Sequence, residues 1–540
     1  MATAMKLPIG IEGFRNEPYY DWDDPADVQR MRAALEHVHS QLGRTYPLIV
    51  GGEEIHGGDV KESINPADPS MVIGRFVQAT REIGDRAIEA SHEFFSREWS
   101  RVPYDERARI VFRAADIMRE RKAELAAWMV FEVSKSWSEA VADAAELIDF
   151  CEYYARFMMK LGGAQEVVEW PGEENELRYI PLGVTVVIPP WNFPAAIMGG
   201  MSAAALVAGN TVVLKPASTA PAIAYKFVEI MYEAGLPRKA LTFLPGPGSQ
   251  IGDSLVDHPL TRMIAFTGSK EVGLRIFERA SSVNEGQMWL KRTILEMGGK
   301  DAQIVDETAD LEAAADAIVA AAFGFQGQKC SACSRAIVVD EVYDDVVEKV
   351  VEKAKRLTIG DTTGQHGTFM GAVIDEGAFR KIREYIEIGK QEGRLLLGGE
   401  VDESAIGYFI PPTIIGDVDP NARIAQEEIF GPVLALIRAR DFDHALEIAN
   451  GTEYGLTGGV FSCSRDRLDR ARDEFHVGNL YLNRKITGAM VGVQPFGGFN
   501  MSGTDSKAGG PDYLLLFTQA KTIAERNRDD VLARTPPAGK

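Results

Sequence analysis

Among 540 residues only four are cysteines, Cys151, Cys330, Cys333 and Cys463. Four thiols scattered over this length cannot frame a disulfide-held fold, and a reducing cytoplasm is the natural compartment. Basic residues are in deficit, 58 Lys and Arg against 79 Asp and Glu, for a net charge of −21. That balance argues against a surface built for nucleic acid or an anionic membrane, although backbone amides can still hold an anion locally. No basic segment followed by an apolar core opens the chain, so no secretory signal is expected. Residues 195–214 are almost free of charge over the length of a membrane span. Their apolarity is largely Ala and Gly, however, Pro194 precedes them, and Asn210-Thr211 divides them into a small-residue helix and a Val-rich strand. No internal repeat and no low-complexity tract occurs. The strict G-x-G-x-x-G fingerprint is missing, and Cys330-x-x-Cys333 has no second Cys pair or His cluster to complete a zinc site, so no metal is expected.

What is present is alternation. With 45% apolar residues, a chain of this length buries large cores, and two or three domains are expected. Asp24 before Pro25 and Asp27 predicts a helix start, Gly43 a stop, and residues 46–50 with Gly51-Gly52 the first strand of a hairpin. Residues 83–159 are helical in pattern, and a polar, strand-like excursion comes next at 165–178. Short β-rich runs at 184–188, 211–214, 241–244 and 263–266 are separated by helical segments, the pattern of βαβ units on a parallel sheet. A second alternating block opens at Gln303, with strands at 336–339, 433–437 and 458–461 and a helix through 346–354. Residues 513–517 read as a strand and 535–540 as a Pro/Gly-rich, disordered end. The fold class is α/β, a Rossmann-like half followed by a second α/β domain.

The most telling stretch is Phe325-Gln326-Gly327-Gln328-Lys329-Cys330-Ser331. The run Leu311–Phe323 has apolar residues at helical spacing, and Gly324 and Gly327 then stop it and expose the residues after them. A cysteine there is placed as a nucleophile, provided other segments supply a base. In the first half, Phe266-Thr267-Gly268-Ser269-Lys270 takes a strand through a small-residue turn into a helix start, which suits a pyrophosphate. Lys215-Pro216 closes another strand nearby in the pattern. Gly246-Pro247-Gly248 is a weaker phosphate-loop candidate, equally explained as a tight turn.

Leu295-Glu296-Met297-Gly298-Gly299-Lys300 upstream of Cys330, and Glu427-Glu428-Ile429-Phe430-Gly431-Pro432 downstream, complete a set that resembles the aldehyde dehydrogenase superfamily from about residue 46 to 526. The resemblance implies an aldehyde dehydrogenase fold, with a Rossmann-like cofactor domain (46–160 and 179–297), an α/β catalytic domain (298–502) and a small β oligomerisation arm (161–178 and 503–526). An N-terminal extension (1–45) and a tail (527–540) flank them. It also implies a homo-oligomer. By the same resemblance Cys330 attacks the aldehyde, Asn192 and the Cys330 backbone N–H stabilise the oxyanion, and Glu296 is the general base. Pro190, Trp191, Lys215, Ser218, Gly268, Ser269, Glu428 and Phe430 contact the nicotinamide cofactor. Cys333 is a neighbour that is not required.

The block from Asn483 to Pro511, with Thr487-Gly488-Ala489 and Pro495-Phe496-Gly497-Gly498, resembles one branch of that superfamily, the 1-pyrroline-5-carboxylate dehydrogenases, which oxidise L-glutamate γ-semialdehyde in proline breakdown. It implies that Thr487, Gly488, Ala489 and Ser331 anchor the α-carboxylate end while Phe193 and Phe496 sandwich the aliphatic middle. Any proline dehydrogenase is expected as a separate protein. Ser218 stands where many NAD-specific relatives carry Glu, so NADP is expected to be accepted beside NAD. A broader aldehyde range, or a non-catalytic cofactor-binding or structural protein on this fold, are the competing readings, which NADH formation by the intact protein separates.

Overall fold

Five short segments rich in Val, Ile and Leu pair in parallel in the spatial order Arg292–Glu296, Thr261–Thr267, Val184–Ile188, Thr211–Leu214 and Leu241–Phe243. The chain runs outward from Val184–Ile188 along one side of the sheet, then returns and continues on the other side from Thr261–Thr267. Such a reversal opens a crevice at the carboxyl ends of the two central strands, where open α/β sheets hold ligands. Residues 189–194 and the Gly268-Ser269 turn leave those two ends. The structure is a computed structural model that describes residues 13–364, 366–402 and 404–526. The expected disordered end therefore lies outside the described residues, as does the start of the N-terminal extension.

The uncharged stretch 195–214 folds as the helix Ala196–Val207 and the strand Thr211–Leu214. Its small residues reflect close packing. A Cβ on Gly199 would lie 2.0 Å from Leu147 Cδ1, and one on Gly200 3.0 Å from Phe150 Cδ2. Both neighbours belong to the long helix Trp137–Leu161, so Ala and Gly let the two helices approach. Among the described residues no helix is long and apolar enough to cross a membrane. Upstream, the helical region resolves into Arg81–Arg97, Tyr104–Glu120, Lys122–Val133 and Trp137–Leu161. At the N-terminal side, Asp24 Oδ1 accepts from the Ala26 N–H (2.9 Å) and caps Pro25–His39.

Two strand expectations need correction. Residues 46–50 are not one strand: Arg44–Tyr46 pairs with Asp68–Val77 in a separate three-stranded sheet, whereas Leu48–Val50 joins the first sheet beside Leu241–Phe243, with Glu53–Ile55 as the edge. Pro47, which has no N–H for a ladder, marks the division. The hairpin itself forms, with Gly51 (φ 61°) and Gly52 (φ 88°) as its two turn residues. Residues 513–517 are a 3-10 helix, Tyr513–Phe517, because their buried side chains Tyr513, Leu514 and Phe517 recur at helical rather than alternating spacing and pack on the long helix. The neighbouring strand is Thr518–Arg526, paired antiparallel with Glu173–Pro181 in an isolated two-stranded ribbon.

The second half is another seven-stranded sheet, in the order Arg394–Leu397, Thr413–Gly416, Val433–Ala439, Arg335–Val339, Ala302–Val305, Thr457–Phe461 and Asn479–Leu482. All its pairs are parallel except the edge pair of Arg394–Leu397 with Thr413–Gly416. The helix Leu311–Phe323 runs between Ala302–Val305 and Arg335–Val339, and the loop carrying Cys330 joins that helix to the second of these strands.

Candidate active site

The Cys330 loop is held in a conformation that it would not adopt alone. After Gly324 the backbone turns left-handed at Phe325 (φ 51°), Gln326 (φ 58°) and Gly327 (φ 67°). Two adjacent non-glycine residues in this region cost about 1–3 kcal/mol each, so surrounding contacts must impose the turn. They are identifiable. The buried Gln326 donates through Nε2 to the carbonyls of Ala372 (2.8 Å) and Ser134 (3.2 Å). Gln328 Oε1 accepts from the Ile374 N–H (2.9 Å). A Cβ at Gly327 would lie 2.3 Å from the Gly431 carbonyl oxygen. The fully buried pair Lys135–Asp143 (2.7 Å) ties this loop to the next. The Lys135 ammonium sits over the Phe193 and Phe325 rings, 4.1 and 4.8 Å from their centroids, while Asp143 Oδ1 accepts from the Ala196 N–H (2.7 Å).

Asn192 thereby comes against the nucleophile loop. Its Nδ2 donates one hydrogen bond to the Gln328 carbonyl (3.0 Å), leaving the second amide hydrogen free of a protein acceptor. Asn192 and Cys330 line one cavity of about 420 Å³ together with Pro190, Trp191, Gly268, Ser269, Glu428 and Phe430. Its walls suit a dinucleotide. A Cβ at Gly298 would lie 2.3 Å from Glu428 Oε2, so only glycine lets the carboxylate and backbone meet, and Glu428 Oε1 accepts from the Gly299 N–H (3.1 Å). Ser269 caps the helix Lys270–Ser281, and that positive helix end opens on the cavity. Trp191 packs edge-on against Phe430 at 5.5 Å between centroids.

Cys330 also lines a second cavity of about 110 Å³, with Glu296, Ser331, Gly488, Ala489, Phe193 and Phe496 among its walls. Three phenyl rings (Phe150, Phe193 and Phe496), two carboxyls (Glu146 and Glu296) and the Gly488-Ala489 backbone share this cavity with the thiol. Glu296 is half-buried and turned toward the C-terminal block: Oε1 accepts from Ser506 Oγ (2.5 Å) and Oε2 from the Gly498 N–H (3.3 Å). Burial pushes its carboxyl up to about 8, opposed by the Ser506 and Gly498 hydrogen bonds and by the charge of Lys507. Burial likewise raises the Cys330 thiol, assisted by the charges of Asp301, Glu428 and Glu296. Burial thus shifts both groups toward their neutral forms, the thiol and the carboxyl alike.

Three expected contacts are placed differently. Lys215 and Ser218 are not in the wall of the first cavity; Lys215 is buried, with Nζ 3.5 Å from the Pro216 carbonyl oxygen, and burial lowers its ammonium to about 8. Thr487 is buried behind Gly488 rather than lining the second cavity, and its carbonyl accepts from Arg484 (3.2 Å). The weaker loop candidate at Gly246 precedes the turn Gly248–Gly252 and lines neither cavity. Cys333 is buried, with Sγ 3.5 Å from the Arg335 carbonyl, and does not line either one. Sequence reading missed Glu146, Phe150 and Tyr154, which face the second cavity from successive turns of Trp137–Leu161. Their i, i+4, i+8 spacing was the available signal. Ser506 carried no such signal, because only the fold brings it to Glu296.

A model of the aldehyde dehydrogenase family matches residues 55–523. The chain belongs to the aldehyde dehydrogenase family. It is 61% identical over 515 residues to a Geobacillus thermodenitrificans protein named 1-pyrroline-5-carboxylate dehydrogenase, spanning 95% of this chain and 99% of that one. A solved Thermus 1-pyrroline-5-carboxylate dehydrogenase with bound NAD superposes with a TM-score of 0.93 at 51% identity, covering 95% of this chain and 99% of the other. Proline utilization A from Bdellovibrio bacteriovorus gives the same TM-score, 0.93, at 46% identity over 96% of this chain and 54% of that protein.

Proposed function

We propose that this chain oxidises L-glutamate γ-semialdehyde, the open form of 1-pyrroline-5-carboxylate, to L-glutamate, with NAD as electron acceptor. The observation that carries this reading is the position of Cys330 at the junction of two cavities, one shaped for a nucleotide and one ending at Ser331, Gly488 and Ala489. The names of the similar proteins support it. The Cys330 thiol loses its proton and its sulfur bonds to the aldehyde carbon, while the Asn192 amide and the Cys330 N–H donate to the oxygen. Each such donor contributes ~3 kcal/mol to lowering the barrier. Glu428, Phe430, Trp191, Pro190, Gly268 and Ser269 would hold a nicotinamide, which when bound would accept the hydride that leaves that carbon. The resulting thioester is attacked by water that Glu296 deprotonates, which releases the carboxylate and returns the thiol.

In this reading the first sheet with its helices is the cofactor domain, the second the catalytic domain and the ribbon the oligomerisation arm. Exposed Phe277, Met288 and Leu290 beside the helix Lys270–Ser281, and Val168 and Trp170 beside the ribbon, leave apolar surface that a homo-oligomer would cover. The enzyme works in the cytoplasm beside a separate proline dehydrogenase that supplies its substrate.

Steady-state kinetics over an aldehyde panel test the assignment. Glutamate semialdehyde should exceed propanal in kcat/KM, because buried donors at the anchor end are left unpaired by a ligand without the α-carboxylate. Ser331→Ala should raise KM for glutamate semialdehyde more than for propanal, by ~1–2 kcal/mol in binding terms. Equal efficiency of the two aldehydes in the unmodified protein would reduce the conclusion to family membership.

Cofactor choice gives a second test. Ser218 follows Ala217, which lines the first cavity, and is half-buried and uncharged, so beside a nucleotide there it would neither repel a 2′-phosphate nor bind ribose hydroxyls as a carboxylate does. The enzyme should turn over with NADP⁺ as well as NAD⁺. Ser218→Glu should shift kcat/KM toward NAD⁺ by ~1–4 kcal/mol, the span for a charge pair about 4 Å apart between bulk water and a protein surface. An unchanged cofactor ratio would show that this residue does not set the preference.

A further inference from the structure

Residues 14–17 belong to neither α/β half, yet they reach the wall of the aldehyde cavity through a short set of contacts. The long helix Trp137–Leu161 presents Glu146, Phe150 and Tyr154 to that cavity and carries Asp149 and Tyr153 beside them. The buried Asp149 accepts from Asn16 Nδ2 (2.8 Å) and from the Glu17 N–H (2.7 Å). Asn16 Nδ2 donates again, to the carbonyl of Val491 (3.0 Å), two residues beyond Ala489. One amide group therefore ties the cavity helix to the loop that closes the cavity's far end.

A second contact lies alongside. The Phe14 ring packs edge-on against Tyr153 at 5.4 Å between centroids, and the two rings form a floor beneath Gly492. A Cβ on Gly492 (φ 76°) would lie 2.9 Å from Tyr153 Cε2 and 3.3 Å from Phe14 Cε1. Gly492 in turn donates through its N–H to the Gly509 carbonyl (3.0 Å), and the Gly509 N–H donates to the Tyr154 hydroxyl (2.9 Å). These bonds end at Tyr154, which lines the cavity, as does Ala508 next to Gly509. The segment is itself fixed, since the buried Glu17 carboxylate pairs with Lys122 (2.7 Å) and Arg119 (2.8 Å).

The loop 487–496 contains no helix or strand and turns at Gly488 (φ 78°) and Gly492 (φ 76°). Arg484 donates to the Thr487 carbonyl (3.2 Å) and Gln494 Oε1 accepts from the Met490 N–H (3.0 Å), which shapes the loop, while Asn479 Nδ2 on the Pro495 carbonyl (2.9 Å) and the Phe496–Ala508 backbone pair hold its C-terminal end. Its distance from Cys330 is set from outside.

We propose that residues 14–17 form a positioning strap that sets aldehyde selectivity by holding the 488–492 loop against the helix Trp137–Leu161. The strap rests on the proposed oxidation of glutamate semialdehyde, because its effect appears when a substrate reaches the Gly488-Ala489 end. Asn16 is a positioning residue. It touches neither nucleophile nor base, so its loss should leave the chemistry of a short aldehyde intact.

The test uses full-length enzyme and Asn16→Leu, which keeps the side-chain volume and removes both donations. KM for glutamate semialdehyde should rise about five- to tenfold, the scale of one lost buried hydrogen bond. KM and kcat for propanal, and KM for NAD⁺, should stay within about twofold. Hydrogen exchange without substrate should show faster exchange of the amides at 488–492 in Asn16→Leu. Phe14→Leu, which keeps the Asn16 bonds, serves as a second variant should Asn16→Leu fail to fold, and should give the same pattern more weakly. Unchanged exchange at 488–492, or an equal loss for both aldehydes, would overturn the strap. Should the unmodified enzyme itself fail to prefer glutamate semialdehyde, the substrate assignment falls, while the exchange measurement still decides whether the strap holds the loop.

Discussion

Cys330→Ala should remove aldehyde oxidation, by a factor on the order of 10⁴–10⁶, the range seen when a covalent nucleophile is deleted. NAD⁺ binding should survive, since the substitution trims only the Cys330 thiol from the wall of the first cavity and leaves residues 189–192, 266–269, 298 and 428–430 in place. Cys333→Ala should retain most activity. Its sulfur is buried near the Arg335 carbonyl and lines neither cavity, so the change removes packing and one weak contact. NADH formation together with calorimetric titration of NAD⁺ measures both variants. Equal loss of turnover in the two would show that the Cys-x-x-Cys pair works as a unit. The nearby ion pair Lys329–Glu139 (2.6 Å) lies beside the loop, so the free thiol gains little from that ammonium, whose charge is already matched. The loop contributes position.

How far this site could be read in advance depended on whether its signals were local. Cys330, Gly268-Ser269 and the Ala196–Val207 helix stand beside breakers and periodic runs that one window of sequence displays. The parallel strands were legible for the same reason, because buried β-branched runs bounded by turns have few alternatives. What failed was decided at a distance. Tyr513–Phe517 has strand-like composition, yet Tyr513 stacks on Tyr154 at 5.4 Å, and that tertiary contact selects a helical turn. Residues 46–50 are alike in type but divided between two sheets by the missing N–H of Pro47. The left-handed pair Phe325-Gln326 has no local cause at all; its hydrogen-bond partners lie at Ser134 and Ala372. The motif resemblance supplied the functional residues that composition could not, Asn192 above all, which by itself reads as a turn between prolines. It did not supply their fastenings. Ser506, Asp149 and Asn16 act on the site through contacts 133 to 475 residues apart in sequence.

Glu296→Gln should separate the two halves of the reaction. Thiol attack and hydride loss do not need the carboxylate, so mixing with NAD⁺ and aldehyde should give a burst of about one NADH per active site. Turnover should then stall at the thioester, with the slow phase reduced on the order of 10²–10⁴-fold for loss of the general base. Rapid-mixing absorbance resolves the burst, and mass spectrometry of the stalled enzyme should find the acyl group on the Cys330 peptide. A uniform loss without a burst would remove Glu296 from the role of deacylation base. The pH profile gives the same residue a second signature. Burial pushes its carboxyl up to about 8, and a base acts only when ionised, so the deacylation rate of the unmodified enzyme should rise with pH through about 8 and fall toward pH 6. Ser506 donates to Oε1 and so favours the ionised form; Ser506→Ala should move that midpoint to higher pH while leaving the burst amplitude unchanged. In Glu296→Gln the slow phase should lose this dependence, because the group that titrates is gone.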